Sequence, residues 1–157
     1  MKARTGILLG CAGAAALAVL VAVIVGAWAL HLAEDPEGLW LTVDAPERVT
    51  VGEKCSLVVK ASNRLPDRAL ELGDLDISSD YLKGFTVVAV RPEPKSTELD
   101  GFLEVRTTRF AQTLQAGTSA EFVFELRAEA AGRYQGQVDQ YVGMQFASAV
   151  VTTTVTR

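Results

Sequence analysis

The chain has 157 residues, with 15 Lys+Arg against 19 Asp+Glu and a single histidine, giving a formal net charge of −4. All nineteen acids and thirteen of the basic residues follow residue 33, so that part carries 13 − 19 = −6, which argues against nucleic acid or an anionic lipid surface as its partner. Two cysteines, Cys11 and Cys55, leave only one in that part, so its stability has to come from an apolar core and not from a disulfide of its own.

The first predicted element is the apolar run Thr5–Ala33, which carries no formal charge and is bounded by Lys2 and Arg4 before it and by Glu34, Asp35 and Glu37 after it. At about 1.5 Å per helical residue the run exceeds a hydrocarbon thickness of about 30 Å. Residues 1–33 are therefore expected to form a cytoplasmic tip and a transmembrane signal anchor that takes the lipid bilayer as its partner. The flanking charges predict an N-terminus inside and a C-terminal domain outside the cytoplasmic membrane, with Trp28 and His31 at the outer interface. Ala27-Trp28-Ala29 also offers an A-x-A cleavage pattern, which would release the domain after Ala29, although the run is longer than an ordinary signal-peptide core. Leu8-Leu9-Gly10-Cys11 looks like a lipobox but stands before the apolar run and not after it, and Gly6/Gly10 form a G-x-x-x-G of the kind that pairs membrane helices.

Residues 34–38 read as a short linker. From Leu39 onward the period is two. Leu39, Leu41 and Val43 alternate with polar residues, Val49–Glu53 makes a short extended piece and a turn, and Cys55, Leu57, Val59 and Ala61 share one face of the next strand. Asn63–Asp67 reads as a turn, Ala69–Ile77 as a less regular extended segment interrupted at Gly73, and Ser78–Gly84 as a loop or a single helical turn. Phe85–Val90 is apolar on both faces and predicts an interior strand that ends at Pro92. Pro94–Gly101 is expected to be an exposed loop. Phe102–Ala111 is expected to turn Leu103, Val105 and Thr107 inward and Glu104, Arg106 and Thr108 outward. Phe122, Phe124, Leu126, Ala128 and Ala130 give the strongest alternation in the chain, followed by strands over Arg133–Val142 and Gln145–Thr156. Seven to nine strands without an amphipathic helix predict an all-β fold, a single antiparallel β-sandwich over residues 39–157.

The stretch Val49-Thr50-Val51-Gly52-Glu53, followed by the alternating Cys55–Asn63, resembles the opening of bacterial surface immunoglobulin-like modules of the CARDB and DUF11 kind. Leu114-Gln115-Ala116-Gly117 and Ala131-Gly132-Arg133-Tyr134, each before a strand, resemble them too. The resemblance implies an immunoglobulin-like sandwich, with Tyr134 as the tyrosine that caps a corner through its hydroxyl. It puts Cys55 at the early-strand cysteine position and Gly136 where the second cysteine would stand, so the disulfide of antibody domains is missing, as is a tryptophan in the third strand.

Chemistry is sparse. No histidine in the exported part can act as a base, no nucleophile motif occurs, and no cofactor is expected, so the chain is read as non-catalytic. Asp74, Asp76 and Asp80 cluster oxygen donors that could join a calcium site, although the spacing matches no EF-hand loop and solvated turn acids are the plainer reading. Gln140, Tyr141, Met144 and Phe146 mix amide and apolar groups and are the candidate interaction residues for a protein partner in the envelope. The alternative is an exported carbohydrate- or ligand-binding sandwich, which would need a flat platform of exposed aromatics.

Overall fold

A computed structural model describes residues 19–28, 35–101 and 104–157, and the chain divides into two compact units, Met1–Glu34 and Asp35–Arg157. In the first unit residues 19–28 form helix α1, and every side chain on it is exposed. The rest of Thr5–Ala33, with Lys2, Arg4, the Gly6/Gly10 pair, Cys11, Ala29 and His31, lies outside the described residues. Among those described, no helix is long and apolar enough to cross a membrane.

The second unit is all β apart from one helical turn. Its strands are β1 (Leu39–Asp44), β2 (Arg48–Thr50), β3 (Lys54–Asn63), β4 (Leu70–Ser78), β5 (Phe85–Arg91), β6 (Ser96–Asp100), β7 (Val105–Leu114), β8 (Ser119–Ala128), β9 (Gly132–Val142) and β10 (Gln145–Thr156), with α2 (Ser79–Leu82) between β4 and β5. One sheet runs β1-β3-β8-β5 and the other β2-β10-β9-β4-β7-β6. All pairings are antiparallel except β2 with β10.

Alternation turns Leu57, Val59, Phe122, Phe124 and Leu126 of the first sheet toward Leu75, Ile77, Phe110, Val138 and Val151 of the second, and all are buried in one core. Two inner faces interdigitate in this way in a β-sandwich. Phe110 bridges them, its ring stacked on Phe122 at 4.2 Å between centroids and edge-on to Phe124 at 6.4 Å. Tyr81 of α2 is fully buried, stacks on Phe85 and shares a hydrogen bond with Thr153 across 3.0 Å.

Four expectations need correction. Phe85–Arg91 is an edge strand and not an interior one. It pairs only with β8, and the register shift between Val87 and Ala89 leaves Val88 exposed, which is why both of its faces read as apolar. Part of the expected loop Pro94–Gly101 is β6, an exposed edge strand paired with β7. Within β7 the facing is inverted: Thr108 and Phe110 are buried, while Thr107 turns outward with Asp76. Phe110 sets that parity because its ring fills the core, whereas Phe102 and Leu103 lie outside the described residues. Finally, Asp35–Gly38 belongs to the compact domain: Pro36 is buried, Gly38 packs closely on Leu65, and the Gly38 carbonyl accepts from Arg64 N–H at 2.8 Å.

The strand directions define two ends. The start of β1, the loops 64–69 and 92–95, and the turns 115–118 and 143–144 gather at one end. The turn 51–53, α2 and the connection 129–131 lie at the other.

Candidate binding surface

Strand β9 sends Val138 and Gln140 inward and Asp139 and Tyr141 outward. Gln140 is fully buried, its Nε2 donating to the Asp74 carbonyl at 3.1 Å and the Tyr141 carbonyl at 3.2 Å. It cannot touch a partner and is withdrawn from the interaction set, because strand parity and not side-chain polarity decides its direction. The other three candidates do come together. Phe146 pairs directly with Tyr141 across the hairpin, and their rings lie 5.2 Å apart. Gly143, at φ 61°, supplies the positive first position of a two-residue turn, and Met144 stands beside it, 66% exposed. The result is a projecting apolar hairpin end on the outer face of the six-stranded sheet.

Next to it lies a row of acids. In register across the sheet are Ser148, Asp139, Asp76, Thr107 and Glu98. Asp139 accepts from the Ser148 hydroxyl at 2.5 Å. Asp74 is gripped by the Arg109 fork, Nε to Oδ1 at 2.6 Å and Nη2 to Oδ2 at 2.8 Å. Asp76 is only 8% exposed, and its Oδ1 has no hydrogen-bond partner among the described residues. Burial pushes its carboxyl above the usual carboxylate range, against the Thr107 hydroxyl bond, and the charges of Asp74, Asp139 and Asp100 push it further the same way. Tyr141 is raised as well, by burial and then by Asp76, Asp139 and Asp74.

Asp80 does not join this row. It lies on α2, where its N–H donates to Ser78 Oγ and its carboxylate meets Lys83 Nζ at 2.5 Å. Among the described residues no three acidic, histidine or cysteine side chains converge to hold a metal ion. The calcium candidate Asp74/Asp76/Asp80 is therefore withdrawn. Asp74 and Asp76 are not turn acids either, since both lie within β4.

Asp76 makes a testable case. Because its folded pKa lies above its unfolded one, its contribution to stability is complete in acid and is lost as pH rises through the folded value. Two carboxylates directly opposite on neighbouring strands repel by about 0.5–1 kcal/mol. Asp76→Asn should raise the unfolding midpoint at pH 7 by a comparable amount, and the advantage should vanish below the ordinary carboxylate range. Urea unfolding at several pH values checks this, and an advantage that does not change with pH would disprove it.

Elsewhere, Tyr134 Oη donates to the Ala130 carbonyl at 3.1 Å, the backward bond expected of a corner tyrosine. Its ring lies so close to Gly84 that a Cβ there would meet it at 2.2 Å. Cys55 is half-buried, and burial, with Glu53 nearby, pushes its thiol up, which keeps it protonated and unreactive. Sequence reasoning missed the guanidinium of Arg64 lying 3.8 Å over the Trp40 ring. It also missed that Asp76 and Asp139 oppose one another, since only strand pairing brings residues 63 positions apart side by side.

No family model matches the sequence, and no curated protein matches it. Among solved structures, the chain is similar to the C-terminal domain of the AgI/II polypeptide BspA of Streptococcus agalactiae, at 11% identity and a TM-score of 0.53 over 74% of this chain and 50% of that one. It is likewise similar to the C-terminal domain of the antigen I/II-family protein AspA of Streptococcus pyogenes, at 10% identity and a TM-score of 0.53 over 74% and 46%. A CARDB domain from Pyrococcus furiosus, solved with di-metal ions, matches at 12% identity over 78% and 93%, but its TM-score of 0.47 is too low to carry weight. The chain thus spans about half the length of the antigen I/II domains that it matches. The two antigen I/II likenesses concern fold alone, and at that level they agree with the immunoglobulin-like resemblance.

Proposed function

We propose that this chain is a non-catalytic binding or assembly module, anchored by Thr5–Ala33 in the cytoplasmic membrane with its β-sandwich on the outer side. The observation that carries the binding reading is the hairpin end, where exposed Met144 and Phe146 and the half-buried Tyr141 ring form one contiguous apolar cluster. Aromatic and methionine side chains held on a rigid element, with a polar surround, make a protein-contact surface. The acid beside it, Asp139, favours a partner with a complementary basic group. The anchor rests on the length of the uncharged run and on the charges that flank it.

The carbohydrate-binding alternative is less well supported. Trp40 is exposed, but Arg64 already covers a face of its ring, so it does not offer an open platform for a sugar.

Capture from detergent-solubilised membranes tests the proposal. The wild-type chain should retain a protein partner, and Met144→Asp combined with Phe146→Thr should reduce that retention more than tenfold without unfolding the domain. Retention of glycan without any protein, or recovery of the chain in the soluble fraction, would overturn the reading.

A further inference from the structure

At the opposite end of the same outer face lies a cleft of about 630 Å3, lined by Glu47, Arg48, Arg133, Thr152 and Thr154. Its floor follows from strand register. Thr154 of β10 pairs with Arg48 of β2 on one side and with Arg133 of β9 on the other. The two arginines therefore stand in one cross-strand row, about 10 Å apart at the backbone from two strand spacings. Val151, Thr153 and Val155 point inward, so Thr152 and Thr154 face the outer side, with Thr154 between the two arginines in the row.

Neither arginine has an ion-pair or hydrogen-bond partner among the described residues, whereas Arg68, Arg91, Arg109 and Arg127 each grip a carboxylate. Two forks without an ion pair face this cleft on a domain whose formal charge is 13 − 18 = −5, and Glu47 offsets only one of the two charges, so the cleft is a local reversal of sign. We infer that this cleft binds an extended acidic peptide segment of a partner through carboxylates at alternate positions. Side chains at i and i+2 of an extended chain emerge on one face roughly 6.6 Å apart, a span that two arginines flanking a single strand can bracket. Each fork then takes a carboxylate in the bidentate geometry that suits guanidinium, with the threonine hydroxyls as further donors. Among the described residues no aromatic side chain lines the cleft, which disfavours a sugar ring as the occupant.

The inference rests on the domain being a protein-binding module. The full-length chain in detergent micelles is titrated against a fluorescein-labelled peptide of alternating Glu and Ser, and against the same peptide with Gln for Glu, by fluorescence anisotropy. The Glu peptide should bind at least tenfold more tightly. Arg48→Gln and Arg133→Gln should each weaken it about tenfold, Arg48→Lys should restore only part of the loss, and Arg91→Gln, away from the cleft, should change nothing. Equal binding of both peptides, or arginine variants that bind like wild type, would overturn the site. Binding of a phosphorylated peptide or of an oligouronate without the Glu peptide would overturn it as well. Partner capture through the hairpin end is read separately, so failure of the cleft and failure of the module reading are told apart.

Discussion

Truncating Phe122 to alanine is expected to lower the stability of the domain by about 3–5 kcal/mol, measured as a fall in the urea midpoint at unchanged slope. Phe122 is fully buried on β8, a central strand of its sheet, and stacks on Phe110 from the opposite sheet. Strands β3 and β5 hold β8 from both sides through registered hydrogen bonds. The backbone therefore cannot slide in to refill the space, and the cavity term adds to the lost transfer energy. For a domain with a total stability of about 5–15 kcal/mol this is a large fraction. Phe146→Ala, at a ring 40% exposed on the outer face, should cost about 1 kcal/mol or less. Equal losses at the two positions would mean that the sheets do not share a close-packed core.

The second large effect is expected at Asn63, whose side chain is buried at the end of β3. Its Nδ2 donates to the Arg68 carbonyl at 2.8 Å, the Leu114 carbonyl at 3.1 Å and the Gln115 carbonyl at 3.3 Å, while its Oδ1 accepts from Leu65 N–H at 3.0 Å. One amide thus ties the loop leaving the first sheet to the turn leaving the second. Asn63→Ala strands these backbone groups away from water, and at about 1–3 kcal/mol for a buried group left unpaired the loss should reach roughly 2–4 kcal/mol. Hydrogen exchange should show Leu65 N–H losing its protection first. Asn63→Asp should be at least as damaging, since it sets a carboxylate against three carbonyl oxygens. The neighbouring Ser62→Ala, which removes only an exposed hydroxyl pair with Ser119, should change stability by less than about 0.5 kcal/mol.

Asn63 also illustrates how far the sequence could be read. As a residue type it signalled a turn, and a turn does follow. Its position at the inward end of β3 buries it by parity, and two of its three acceptors, the Leu114 and Gln115 carbonyls, come from a distant segment that local pattern cannot bring together. Gln140 fails in a related way: an amide beside an apolar group reads as surface, yet strand parity put it in the core, where its Nε2 donates to the Asp74 and Tyr141 carbonyls. The candidate set was partly legible, because Tyr141, Met144 and Phe146 flank a glycine turn and a hairpin keeps near neighbours together. The acid row and the two-arginine cleft were not, since each is assembled from strands far apart in the chain.

By itself the sequence determined the all-β class, the alternating inner faces of β3 and β8, the irregularity at Gly73 and the stop at Pro92. All of these depend on the two-residue period and on backbone restrictions that act over a few residues. Tertiary structure alone decided that Phe85–Arg91 is an edge, that Thr108 and Phe110 face inward on β7, and that Asp76 is buried against Asp139. The physical reason is common to all three. Which strand lies beside which, and in what register, is chosen by the whole core at once, and a one-residue change of register reverses every side chain on a strand.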